Sequence, residues 1–141
     1  MKNPLYFSLL ALLVIGCSEQ TPSEQTPMET PSENILLNKG DKWLVNEEMK
    51  PFILEAENIL TEYIASKSSD YTALAASLQE KNTGLINSCT MEGESHEELH
   101  KWLHPHMDLI EALANAETQE MAEPLIAQLS ESFVSFHTYF Q

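Results

Sequence analysis

From Met49 to the end of the chain, apolar side chains return every three or four positions. A stretch this long with that period buries its apolar atoms by packing helix on helix. Met49, Phe52, Ile53, Ala56, Ile59, Leu60, Tyr63 and Ile64 form the first stripe. Asn46 is its candidate cap, and Pro51 places the first turn near Lys50. Asp70 can cap a second helix bearing Tyr71, Leu74, Ala75, Leu78, Asn82, Leu85, Ile86 and Cys89 on one face. Gly93 then breaks the chain, and Ser95 with Glu98 three positions later reads as a capping box. The third helix carries Leu99, Leu103, Met107, Ile110 and Ala114, with a kink expected at Pro105. Thr118 can cap the fourth, which bears Leu125, Ile126, Leu129, Phe133, Phe136 and Phe140; Pro124 unsettles its first turns. Ile35 to Val45, with turn residues Asn38 to Asp41, reads as a small hairpin or an irregular strap, and the strap laid over these helices is the preferred reading. The expected fold is all-α: an up-down-up-down four-helix bundle over residues 35–141 with an irregular N-terminal strap.

The first residues are of another kind. Lys2 is followed by an apolar run from Leu5 to Ile15 that falls short of the roughly 20 residues a permanent span requires. This is the pattern of an export signal, residues 1–16, with the small Gly16 at the cleavage point. Val14-Ile15-Gly16-Cys17 resembles the lipobox of bacterial lipoproteins. The resemblance implies cleavage before Cys17, acylation of Cys17, and a cell-envelope location anchored by lipid. Ser18 stands where lipoproteins retained in the inner membrane of some bacteria carry Asp, which points to the outer membrane, on its periplasmic or surface face. Residues 17–34 then form a tether in which Thr-Pro recurs at Pro22, Pro27 and Pro31, a composition that cannot build a core.

Charge narrows the partners. The chain has 22 acidic residues against seven basic ones, all Lys, for a formal net charge of −15. Nucleic acid is excluded as a partner, since phosphate binding needs clustered Lys and Arg. Anionic headgroups are repelled too, so the membrane is reached through the lipid on Cys17. Cations and basic envelope proteins are attracted.

With Cys17 acylated, Cys89 is the one thiol left in an oxidising compartment. It opens the joint Cys89-Thr90-Met91-Glu92-Gly93-Glu94-Ser95-His96-Glu97-Glu98-Leu99-His100. His96 and His100, four apart, project from one side of a helix and can share an ion. In the expected topology this joint lies near Trp43, Met49, His137 and Tyr139. Thiolate, thioether and imidazole together suit Cu(I), with Zn(II) the second choice. The candidate ligands are Cys89, Met91, His96, His100 and His137; His104 and His106 read as surface residues around Pro105.

Other readings compete. The plain one is a core Cys beside solvent-facing histidines, in a structural or protein-interaction lipoprotein without metal. His96-Glu97-Glu98-Leu99-His100 also has the letters of the zinc-peptidase motif, with Glu97 as general base and Glu120 as a third ligand. Met49 and His137 resemble the axial pair of four-helix b-type cytochromes, while covalent haem attachment is excluded by the lack of Cys-x-x-Cys-His. The segment Cys89 to His100 resembles small uncharacterised helical lipoproteins of Bacteroidetes-type bacteria, which implies an envelope helical domain and no particular activity.

Overall fold

The computed structural model describes residues 34–141; the expected export signal, Cys17 and all of the expected tether but Asn34 lie outside the described residues. Four helices follow in order: α1 Lys50–Ser66, α2 Tyr71–Asn87, α3 Glu94–Ala114 and α4 Gln119–Tyr139. Each packs on its neighbour in sequence, and α4 returns to α1 along a thinner seam. Joints of four to six residues allow only antiparallel neighbours, so the bundle runs up, down, up, down. Among the described residues no helix is long and apolar enough to cross a membrane.

The caps are partly those expected. Asp70 accepts from the Ala73 N–H at 3.0 Å, and Thr118 accepts from the Met121 N–H at 3.3 Å. Asn46 acts elsewhere. α1 starts without a side-chain cap, and Asn46 spans the end of the bundle instead. Its amide donates to the Ser88 carbonyl at 3.1 Å and accepts from the Thr90 N–H at 3.3 Å. The entry to α1 is thereby tied to the α2–α3 joint. α3 opens earlier than the capping-box pattern suggests, with Gly93 at the cap position in a positive-φ conformation (69°) that only glycine adopts cheaply. Ser95 is already helical, its hydroxyl donating to the Glu92 carbonyl. Both α3 and α4 continue as helix through Pro105 and Pro124.

The strap is stitched to the other chain end. The Trp43 backbone N–H donates to the Tyr139 carbonyl at 2.8 Å, and its carbonyl accepts from the Gln141 N–H at 2.9 Å, a single parallel bridge centred on Phe140. Farther up, the Leu36 N–H donates to the Glu98 carboxylate of α3 at 2.8 Å. Burial alone would raise the Glu98 pKa, but bonds from Lys101 and Leu36 more than offset it and hold the carboxylate below its ordinary value. At the α1–α2 contact, Gly84 leaves no room for a side chain, because a Cβ there would run into the Phe52 ring.

The core runs the length of the bundle through residues such as Met49, Leu78, Leu99, Ile110, Leu129 and Phe140. One face differs from expectation. α3 buries Leu99, Trp102, Leu103, His106, Ile110 and Leu113, whereas Met107 is 37% exposed. The inward stripe is therefore rotated toward Trp102 and His106. Both polar rings find partners on Ser132 of α4: the indole N–H donates to its carbonyl at 2.8 Å, and His106 Nδ1 lies 2.9 Å from its hydroxyl. Those bonds satisfy the indole N–H and His106 Nδ1, and the apolar surface of the large rings turns inward with them, leaving His106 Nε2 without a partner.

Candidate functional site

Rotating Trp102 and His106 inward brings the opposite flank of α3 to the surface. His96, His100 and His104, each one turn from the next, form a ridge along it. The ridge walls a cleft of about 590 Å³. The joint contributes the two sulfur side chains of Cys89 and Met91, and α3 adds the sulfur of Met107. Ile86 at the end of α2, with Leu99 and Leu103 of α3, supplies apolar wall, and Asp108 stands at the far end.

Within the ridge the rings are close. The Nε2 atoms of His96 and His100 are 2.9 Å apart, and the His100 ring centroid lies 4.8 Å from that of His104. His100 is pushed toward its neutral form, first by burial and then by the positive charge that His96 and His104 carry when protonated. A neutral imidazole is the state that ligates metal. The 2.9 Å contact is a hydrogen bond in which one Nε2 donates, so an ion held by both nitrogens requires that ring to carry its proton on Nδ1 and the two to part by a few tenths of an ångström.

Cys89 is a free, half-buried thiol packed on the edge of the core and open to the cleft. It shares the cavity with the two imidazoles, as expected, and Met91 does the same. Convergence is less tight than expected. Among the described residues no three His, Cys, Asp or Glu side chains stand close enough to enclose an ion. The sulfurs line the walls while the imidazoles meet each other.

His137 is at the expected end of the bundle but on another face. Its Nε2 lies 2.9 Å from the Glu57 carboxylate, and it lines a separate pocket of about 120 Å³ with Val45, Ile53 and Phe136. It is not a ligand in the cleft. His104 is exposed, as expected, and belongs to the ridge. His106, also expected on the surface, is 1% exposed, stacked on Trp102 with ring centroids 4.8 Å apart. Its Nε2 has no partner, and burial lowers its pKa to about 4.

Two competing constellations are not assembled. Glu97 is exposed and absent from the cleft wall, so the general base of a zinc peptidase is not aimed at the His pair. Glu120 lies in the first turn of α4, at the opposite end of the bundle from His96, roughly 30 Å away along a 21-residue helix. Met49 is fully buried in the core and does not line the pocket that His137 faces, so the axial pair for haem is not formed.

His104 and Met107 are the site residues that sequence reasoning missed. The signal was present: His104 continues the four-residue step from His96 and His100, but its position off the expected apolar face, beside Pro105, argued against extending it. The fold and cleft define an acidic four-helix bundle with a histidine ridge beside a sulfur-lined joint. No family model, characterised protein or solved structure matches the chain.

Proposed function

We propose that this protein is a lipoprotein of the cell envelope, anchored through Cys17, whose bundle binds a thiophilic transition metal ion in the cleft beside α3. His96 and His100 hold the ion, and Cys89 and Met91 offer sulfur from the facing wall. The observation that carries this reading is the 2.9 Å approach of two imidazole nitrogens inside a cavity that also contains three sulfur side chains. Imidazole beside soft sulfur suits Cu(I) first and Zn(II) second. An acidic surface concentrates cations near the cleft. Sensing, buffering or handing on the ion are the roles that fit an acidic module on a tether.

Titration of the purified full chain with Cu(I) and with Zn(II) tests it. Binding is expected at micromolar concentration or tighter, and His100→Ala should weaken it by about 100-fold, or about 2.7 kcal/mol. Equal affinity in wild type and His100→Ala would refute the site. The anchor is tested separately: lipid labelling in a bacterial host should be lost in Cys17→Ser.

The structural or interaction reading has one observation of its own. Leu54 and Val134 are 52% and 67% exposed on α1 and α4, the pair of helices with the thinner seam. If neither metal binds, that seam is where a partner protein should be sought.

A further inference from the structure

We infer that the cleft takes its metal as a complex with a small, uncharged organic chelator and not as a bare ion; this rests on the metal reading above. Three observations lead here. The protein supplies two nitrogens that meet, the sulfurs of Cys89 and Met91 line the walls apart from them, and among the described residues no third His, Cys, Asp or Glu side chain joins the pair. An ion of coordination number four or more held by that pair therefore keeps positions open, and the pair itself lines the cavity.

The cavity is also far larger than an ion needs. A water molecule takes about 30 Å³ of liquid volume, so an ion completed by two to four waters occupies little more than about 100 Å³. The cleft measures about 590 Å³, within the range of pockets that enclose small organic ligands. Water in the remaining space would lie against Ile86, Leu99, Leu103 and the Met107 side chain, which is unfavourable for apolar wall. An organic co-ligand fills that volume, covers the wall and completes the metal shell in one step.

Charge selects the kind of chelator. Asp108 closes the far end of the cleft, the chain carries a formal net charge of −15, and among the described residues no Lys lines the cleft. A carboxylate-rich or catecholate ligand would meet Asp108 inside the cleft and the negative field of the chain around it. A neutral nitrogen chelator, giving a cationic complex with the metal, is complementary. His104, one turn beyond His100, stands where it can donate to or accept from the bound chelator.

Zn(II) and phenanthroline, a flat neutral nitrogen chelator, provide the test. The purified full chain is titrated with Zn(II) alone, with phenanthroline alone and with their equimolar complex, and ternary species are weighed by native mass spectrometry. The complex should bind about tenfold or more tightly than bare Zn(II), because it adds apolar burial to the same two nitrogen bonds. Ile86→Gln, an uncharged polar change at a position 44% exposed in the apolar wall, should weaken binding of the complex more than binding of bare Zn(II) and so shrink the preference. Bare Zn(II) binding with no ternary species, or removal of the metal by phenanthroline, would overturn this inference and leave the metal site standing. Failure of both Zn(II) and its complex to bind would overturn both.

Discussion

The two flanks of α3 carry the same residue type to opposite ends. On the inner flank His106 is 1% exposed, sandwiched by Trp102 and Phe133 and bonded through one nitrogen to Ser132. On the outer flank His96, His100 and His104 meet one another and the cleft. The difference teaches what a histidine needs in order to be structural: a partner for the bonded nitrogen and aromatic surface for the ring. Without these it stays at the surface, where its lone pair is available. The two flanks should therefore fail independently, stability with one and ligand binding with the other.

The largest effect belongs to the inner flank. Trp102→Ala removes an indole that is 3% exposed, packed on Phe136 and bonded to the Ser132 carbonyl. A loss of about 3–5 kcal/mol is expected in chemical denaturation. Any molecules that remain folded should bind metal as wild type does. A loss below about 1 kcal/mol would mean that Trp102 does not organise the α3–α4 contact.

His106 sharpens the comparison through pH. Burial lowers its folded-state pKa to about 4, against about 6.5 for an unperturbed imidazole. The unfolded chain thus binds one more proton than the folded chain between these values. The contribution to stability is complete above pH 6.5 and is lost as pH falls toward 4, about 3 kcal/mol in all. His106→Phe keeps a ring between Trp102 and Phe133 but cannot titrate. Denaturation curves at about pH 7 and about pH 4 should show the wild type losing about 3 kcal/mol more than this variant. Parallel losses would mean that the folded state protonates His106 as readily as the unfolded chain does.

How much of this is legible in the sequence differs between fold and site. The helices are readable because three-four spacing, Asp70 and Thr118 are local signals, and each acts within its own segment. The rotation of α3 is not, because the inward turn of Trp102 and His106 depends on Ser132, 30 and 26 residues away in sequence. Nothing local marks Ser132 as their partner. The same long-range bond decides the site, since it sets which flank faces water. Cys89, Met91, His96 and His100 lie so close in sequence that any hairpin there brings them to one end. His137 needs the packing angle of α4 as well, and it faces Glu57 across the thin seam instead. Asn46 escapes a local reading for a similar reason, as its partners Ser88 and Thr90 come from another loop.

The smallest expected effect tests the outer flank most directly. His100 is exposed, and the hydrogen-bond contact of its side chain is with the ring of His96, so His100→Ala should shift stability by no more than about 0.5 kcal/mol without metal. With saturating Zn(II) the wild type should become more stable, since an ion that binds only the folded state stabilises by mass action, and the variant should not. That gain should shrink as pH falls, because protons compete for the same nitrogens. His100 is shifted toward the neutral form, so its own nitrogen resists this competition to a lower pH than an ordinary imidazole would. Thermal unfolding of both proteins, with Zn(II) and with chelator, measures all of this. If His100→Ala is as destabilising without metal as Trp102→Ala, the outer ridge is part of the scaffold, and the separation between the two flanks of α3 does not hold.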